Sequence, residues 1–298
     1  MWQPSSLPHR SKEGEKNHVQ KSGFRNFKKG EKLNRTNELR LSACLYMYYY
    51  CHRLMEYCLL GNIVTMIRLQ NLVVGYQGVP LLKKPISGIF GSGSLTALIG
   101  ENGVGKSTLL KTICGILPPI GGEVQFSSDS VKKSISWLPQ RTDIDCSFPI
   151  SVFDVVAMGC WPKSAVYSPL KDEDIERIFL ALKRVRIASL ADRALDRLSS
   201  GQIQRMLFAR LLVQNTDIMV MDEPFTGTDN QTQDELIRLV VELNRSGRTV
   251  ITVLHNLEIV ARFFPDTLVI TSHYSNWGST STVLELGPFD RRQSDSKL

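Results

Sequence analysis

Apolar and polar positions change rhythm several times along this chain, and each rhythm predicts an element. The stretch "MIRLQNLVVGY", Met66 to Tyr76, alternates at Ile67 and Leu69 before an apolar pair, which predicts a half-buried strand. "LLKKPISGIFGSGSLTALIG" holds two more strand candidates, split by Gly91, Ser92 and Gly93. The second of them runs apolar into a glycine-rich loop, and Lys106 to Ile116 then reads as a helix. "ISWLPQ" predicts a short strand ending at Pro139. Ile175, Ile178, Phe179, Leu182 and Val185 recur at helical spacing behind Asp172, an N-cap candidate. Gly201 to Gln214 reads as another helix, with Ile203, Leu207, Leu211 and Leu212 inward. "DIMVMDEP" and "RTVITVLH" are apolar, β-rich runs ending in polar residues, the pattern of central parallel strands covered on both faces. No internal repeat stands out. The expected fold class is α/β, with an antiparallel start and a helical insert over about residues 151–196.

Composition adds a boundary to this picture. The chain has 298 residues, enough for one large or two small domains. Its net charge of +7 is uneven: residues 1–60 carry 11 Lys and Arg against 5 Asp and Glu, whereas the remainder carries 25 against 24. The basic character belongs to the N-terminal segment, and charge gives no support for a nucleic-acid partner of the main domain. Residues 1–40 are polar and read as disordered. Leu41 to Leu60 contains Cys44, Cys51 and Cys58, which seven-residue spacing places near one helical face. This segment reads as a short amphipathic helix, a metal or redox site, or part of an extension from an upstream start, with Met66 opening the orderly pattern. Cys114, Cys146 and Cys160 complete the set of six, and no CxxC pair occurs, consistent with free thiols. No apolar run reaches the ~18 residues of a membrane-spanning helix. The expected organisation is an extension over 1–65, one domain over 66–287 and a short tail over 288–298.

The glycine-rich loop supplies the first chemistry. "GENGVGKST", Gly100 to Thr108, fits the G-x-x-x-x-G-K-[ST] phosphate loop and has the required context, a strand before it and a helix after it. Backbone N–H groups of Gly100, Glu101, Asn102, Gly103, Val104 and Gly105 can turn toward a phosphate, and the helix N-terminus adds partial positive charge. Lys106 is placed to reach the β- and γ-phosphates of a nucleotide. The Ser107 hydroxyl is placed to ligate Mg²⁺, beside Thr108. Such a loop requires a carboxylate on the Mg²⁺ side, and "IMVMDEP" offers Asp222 at the end of an apolar strand. Glu223, next to it, can orient and polarise an attacking water.

"LSSGQIQR", Leu198 to Arg205, lies between these two motifs and resembles the L-S-G-G-Q signature of a known family. From about Met66 to about Gly287 the chain resembles the ATP-binding subunit of an ABC transporter. The resemblance implies a RecA-like parallel-sheet core, an antiparallel β subdomain and a helical subdomain. It implies ATP and Mg²⁺ bound between two antiparallel copies, with Leu198, Ser199, Ser200, Gly201 and Gln202 of one copy closing over the loop of the other. Gln140 matches the Q-loop glutamine that touches Mg²⁺ and water, and His255 the switch histidine of the γ-phosphate. Asp229 matches the aspartate that couples the two sites, and Tyr76 the aromatic that stacks on adenine. Lys106, Gln140, Glu223 and His255 are the implied catalytic set, and Ser107, Gln140 and Asp222 the implied Mg²⁺ set. One departure stands out: Ser200 replaces the first glycine of the signature. Its Cβ either narrows the approach to phosphate or is tolerated at negative φ, so turnover is expected to be reduced or unchanged, not abolished.

A finer resemblance concerns cargo. "FPISVFDVVAMG", around Phe148, Pro149 and Val152, is similar to importers of zinc, manganese or iron, in which this region helps form the groove for the permease. As residues alone, these are an apolar entry to the helical insert. The resemblance implies a homodimer, separate transmembrane permease subunits, an extracytoplasmic metal-binding protein, and a peripheral place on the cytoplasmic face of a bacterial membrane. An ABC ATPase for siderophore, haem or lipid is the alternative. A soluble, non-transport ABC protein and a binder that holds ATP without hydrolysing it are more distant ones.

Overall fold

The computed structural model describes residues 65–128, 131–132, 134–140, 146, 148–160 and 169–285. The expectations for residues 1–64, including the Cys44, Cys51 and Cys58 face, and for the tail 288–298 lie outside the described residues.

Two sheets carry the fold. The larger has six strands: β5 (Leu95–Gly100), β7 (Ile135–Leu138), β8 (Ile218–Asp222), β9 (Thr249–Val253), β10 (Asp266–Ile270) and β11 (Ser275–Ser279), ordered β11-β10-β5-β9-β8-β7. All neighbours are parallel except the edge pair β10 and β11. The reason β8 and β9 read as unbroken apolar runs is now explicit. Side chains alternate between faces, and both faces are covered. Met219, Met221 and Val250 enter a core shared with the helical region, whereas Ile218, Val220, Ile251 and Val253 enter a second core. That second core lies under an antiparallel sheet of β4 (Ile86–Gly91), β1 (Thr65–Val73) and β6 (Gly121–Phe126), which contributes Ile67, Leu69, Ile86 and Phe90.

Seven α-helices are described: α1 (Lys106–Ile113), α2 (Val152–Ala157), α3 (Asp172–Arg184), α4 (Ser200–Val213), α5 (Asn230–Arg245), α6 (Leu257–Phe263) and α7 (Thr280–Glu285). The segment holding α2 and α3 has paired ends: Val152 N–H donates to the Arg193 carbonyl and Leu195 N–H to that of Ile150. Among the described residues, no helix is long and apolar enough to cross a membrane.

Several boundaries differ from expectation. Helix α1 stops at Ile113 instead of Ile116, because Gly115 turns left-handed (φ 70°) and the Gly115 and Ile116 N–H groups fold back onto the Thr112 and Lys111 carbonyls. The N-cap of α3 is Lys171, not Asp172. Its capping carboxylate is Asp174, which accepts from the Lys171 N–H and is held below the usual carboxylate range, chiefly by that bond and then by the Arg177 guanidinium. Phe179 is exposed, not inward, and lies 5.6 Å from Phe153 between ring centroids. Helix α4 starts at Ser200 and ends at Val213, and Leu212 is half-buried where Val213 is buried. Tyr76 is not on the first strand: β2 (Gly75–Tyr76) and β3 (Val79–Pro80) form their own hairpin around Gln77 and Gly78, both at positive φ.

Candidate functional site

The strands deliver the chemistry to one edge. Gly100, Asp222 and Val253 end β5, β8 and β9, and Leu138 ends β7, so the loop, Gln140, Glu223 and His255 all follow the carboxyl ends of four adjacent strands. That edge is where open α/β sheets bind ligands.

The loop is shaped for an anion. Gly103 and Gly105 hold φ of 77° and 108°, a left-handed backbone that residues with a Cβ rarely adopt. Ser151, Ser199, Asp229 and Asn256 each cap their helix with a side-chain oxygen, but Gly105, the N-cap of α1, supplies none. The first turn of α1 therefore keeps N–H groups that no capping side chain takes. Lys106 is buried, and its Nζ donates to the carbonyls of Gly100 (3.0 Å) and Glu101 (2.9 Å). Burial lowers its pKa, and the nearby carboxylates of Glu223 and Asp222 pull it back up. Glu101, Asn102 and Gly103 are exposed, Val104 and Thr108 are buried, and Ser107 is half-buried at the helix start. Tyr76 is 48% exposed on its hairpin.

Two further predicted residues, Gln140 and His255, meet at the carboxylate of a third, Glu223. Gln140 Nε2 donates to Glu223 Oε2 at 3.1 Å, and the Thr226 hydroxyl donates to the same oxygen at 3.2 Å. His255 Nε2 lies 2.6 Å from Glu223 Oε1; an ionised carboxylate only accepts, so the ring donates from Nε2. Glu223 has φ 47°, left-handed for a residue with a Cβ. A pocket of about 210 Å³ opens beside Glu223 and His255, lined also by Phe225, Thr226 and Asn256. Asp222 is buried at the strand end, close enough to act on Lys106. Ser107, Gln140 and Asp222 all offer hard oxygen donors of the kind Mg²⁺ prefers, so the chemistry of these residues fits a nucleotide with Mg²⁺.

The signature residues sit elsewhere on the chain, at the start of α4. Ser199 Oγ accepts from the Gln202 N–H and Gln202 Oε1 from the Ser199 N–H, a reciprocal capping box. Leu198 is half-buried beneath them. Ser200 is the first residue of α4 and has no left-handed φ, so its Cβ strains nothing in the backbone. The Ser200→Gly variant is therefore expected to hydrolyse ATP at least as fast as the parent in a steady-state phosphate-release assay. A severe loss would assign Ser200 a role of its own. Asp229 caps α5, and its carboxyl is held below the usual range, first by the Thr232 N–H and then by the Thr232 hydroxyl. The reading of the sequence gave no role to Thr226, Gln204 or Arg205. Gln204, polar between the inward Ile203 and Leu207, carried a signal that could have found it.

Comparison with known proteins identifies the family. The sequence pattern of the ABC transporter family matches residues 83–226. The manganese transport system ATP-binding protein MntB of Bacillus subtilis is 37% identical over 223 residues, 74% of this chain and 89% of that protein. The chain belongs to the ATP-binding proteins of ABC transporters. It is an ATPase of a transport system. The zinc transport system ATP-binding protein TroB of Treponema pallidum is 37% identical over 210 residues, 68% of this chain and 77% of that protein. Among solved structures, CbiO1 of Clostridium perfringens, part of the ABC transporter complex CbiONQ, superposes with a TM-score of 0.60 at 29% identity, over 74% of this chain and 91% of that one. The α/β P-loop architecture with a largely parallel core sheet is thus that of the family.

Proposed function

We propose that this ATPase drives a bacterial importer of a divalent metal ion (zinc, manganese or iron) and that it works as a homodimer. The observation that carries the catalytic part is the Glu223 carboxylate, held by Gln140, Thr226 and His255 at the strand ends beside the Lys106 loop. Gly100 to Thr108 hold the phosphates, Tyr76 stacks on adenine, and Lys106 neutralises phosphate charge. Ser107, Gln140 and Asp222 hold Mg²⁺, which when bound screens the charge of the phosphates. Glu223 orients the water, and His255 keeps that carboxylate aimed and secures the γ-phosphate. Residues Leu198 to Gln202 of the second copy close the site, and Asp229 couples the two halves.

The cargo reading is supported by the manganese and zinc systems of the relatives and by the similarity around Phe148 to Val152. Exposed apolar side chains that a permease could cover accompany it: Phe148 (62% exposed), Met158, Phe179 and Leu180, in and just before the helical segment. The permease is a separate polypeptide, an extracytoplasmic protein delivers the metal, and the ATPase sits peripherally on the cytoplasmic face. The test is a deletion strain. Uptake of radiolabelled manganese or zinc is expected to fall and to return with the intact gene, and membrane proteins are expected to co-purify with the tagged chain. Unchanged metal uptake alongside lost uptake of haem or a siderophore would overturn the cargo.

A further inference from the structure

Helix α4 grips the loop between β8 and α5 at both ends. Gln204 is 1% exposed, and its Nε2 donates to the Pro224 carbonyl at 2.5 Å. Its Oε1 is equally buried and has no hydrogen-bond partner among the described residues. Four residues on, and so on the same helix face, the Phe208 ring lies nearly parallel to that of Phe225, centroids 6.3 Å apart. Arg205 holds the other end of the loop: it donates to the Thr232 hydroxyl at 3.0 Å and pairs with Glu235 at 2.8 Å. The stretch from Pro224 to Thr232 is thereby fastened to one rigid helix, and Glu223 directly precedes it.

The amide at position 204 is an expensive choice. A buried acceptor left without a partner costs about 1–3 kcal/mol, whereas a methionine would fill the same volume with no such cost. The feature that distinguishes glutamine here is its donor, aimed at the peptide next to Glu223. Pro224 has its φ set by the ring. Pinning its carbonyl fixes ψ as well, so the backbone following Glu223 has no free torsion. Glu223 itself sits at φ 47°, a conformation that persists where the surroundings over-determine it.

We propose that Gln204 is a positioning residue for Glu223: by holding the Pro224 carbonyl, it sets the backbone from which the carboxylate is aimed at the attacking water. The proposal rests on the reading of Glu223 given above. The test uses the full chain with Mg·ATP and compares the parent with Gln204→Met, Gln204→Glu and Glu223→Gln. Gln204→Met is expected to lower kcat about 10- to 100-fold, the effect of misplacing a reacting group. KM for ATP and the thermal midpoint are expected to stay close to the parent's, since the orphaned acceptor leaves with the donor. Gln204→Glu gives a second readout. Burial raises a carboxyl pKa; protonated, the group donates to the Pro224 carbonyl, and ionised, it repels it. Its kcat is therefore expected to fall as pH rises through that raised pKa, a loss absent from the parent because an amide does not titrate. A parent-like kcat in Gln204→Met, or a parent-shaped pH profile in Gln204→Glu, overturns the proposal; if Gln204→Met does not fold, the profile decides. Turnover surviving in Glu223→Gln overturns the reading of Glu223 and this proposal with it. Loss there beside unaltered Gln204 variants overturns the role of Gln204 alone.

Discussion

The Glu223→Gln protein is expected to bind ATP, to hydrolyse it about 10²- to 10⁴-fold more slowly than the parent, the range for removing a general base, and to accumulate as an ATP-bound dimer. The substitution keeps the length and shape of the side chain. A glutamine oxygen can still accept from Gln140, Thr226 or His255, which now hold the carboxylate at 2.6–3.2 Å. What disappears is the negative charge that draws a proton from water. The Lys106 loop is untouched, so nucleotide still binds and the closed pair has no way to reopen through hydrolysis. Size-exclusion chromatography with Mg·ATP reads the dimer and phosphate release reads the rate. A variant that stays monomeric with Mg·ATP would sink the sandwich arrangement, and one that turns over normally would remove Glu223 from the chemistry.

Lys106→Ala is the second large effect. Nζ supplies the one positive side-chain charge of the loop, next to two carboxylates that repel a phosphate. Each hydrogen bond to a charged group contributes about 1.5–3 kcal/mol, and reaching both the β- and γ-phosphate makes two, so affinity for ATP is expected to drop about 10²- to 10⁴-fold. The fold is expected to survive. Within the protein, the substitution removes the Nζ hydrogen bonds to the Gly100 and Glu101 carbonyls, and Glu101 is exposed to water that can replace its share. Titration with a fluorescent ATP analogue measures the affinity; a change of less than about threefold, well under one such bond, would mean that the loop binds through its backbone alone.

Legibility in the sequence followed burial only in part, since the buried strand β10 went unread. β8 and β9 were readable because both faces of the sheet are covered, which forces unbroken apolar runs. The loop was readable because its glycines and lysine meet a demand that few other residues satisfy. β6 and β11 were not, since the alternation of Glu123, Val124, Gln125 and Phe126 in β6 is only four residues long behind two glycines, and β11 is an edge of mostly polar residues. The place of Tyr76 was misread because a two-residue turn at Gln77 and Gly78 is a backbone event that hydrophobic periodicity does not register. The gathering of Gln140 and His255 on Glu223 came from resemblance, since nothing in linear spacing brings together residues 83 and 32 positions away. The grip of Gln204 on Pro224 is a buried polar contact, visible in sequence only as a misfit within an apolar face.

The left-handed backbone at Glu223 bears on how this protein fails. A side chain in that region costs about 1 kcal/mol or more that glycine would not incur, so the residue proposed to orient the attacking water stands where the backbone itself favours glycine. A Glu223→Gly chain relieves that backbone strain while losing the carboxylate, so it is expected to lose activity while still folding and to escape a cell's proteases. In the proposed homodimer, inert subunits that fold and pair normally would spoil the intact ones they join. Co-expression of such a variant with the parent is then expected to lower turnover by more than its share of the subunits.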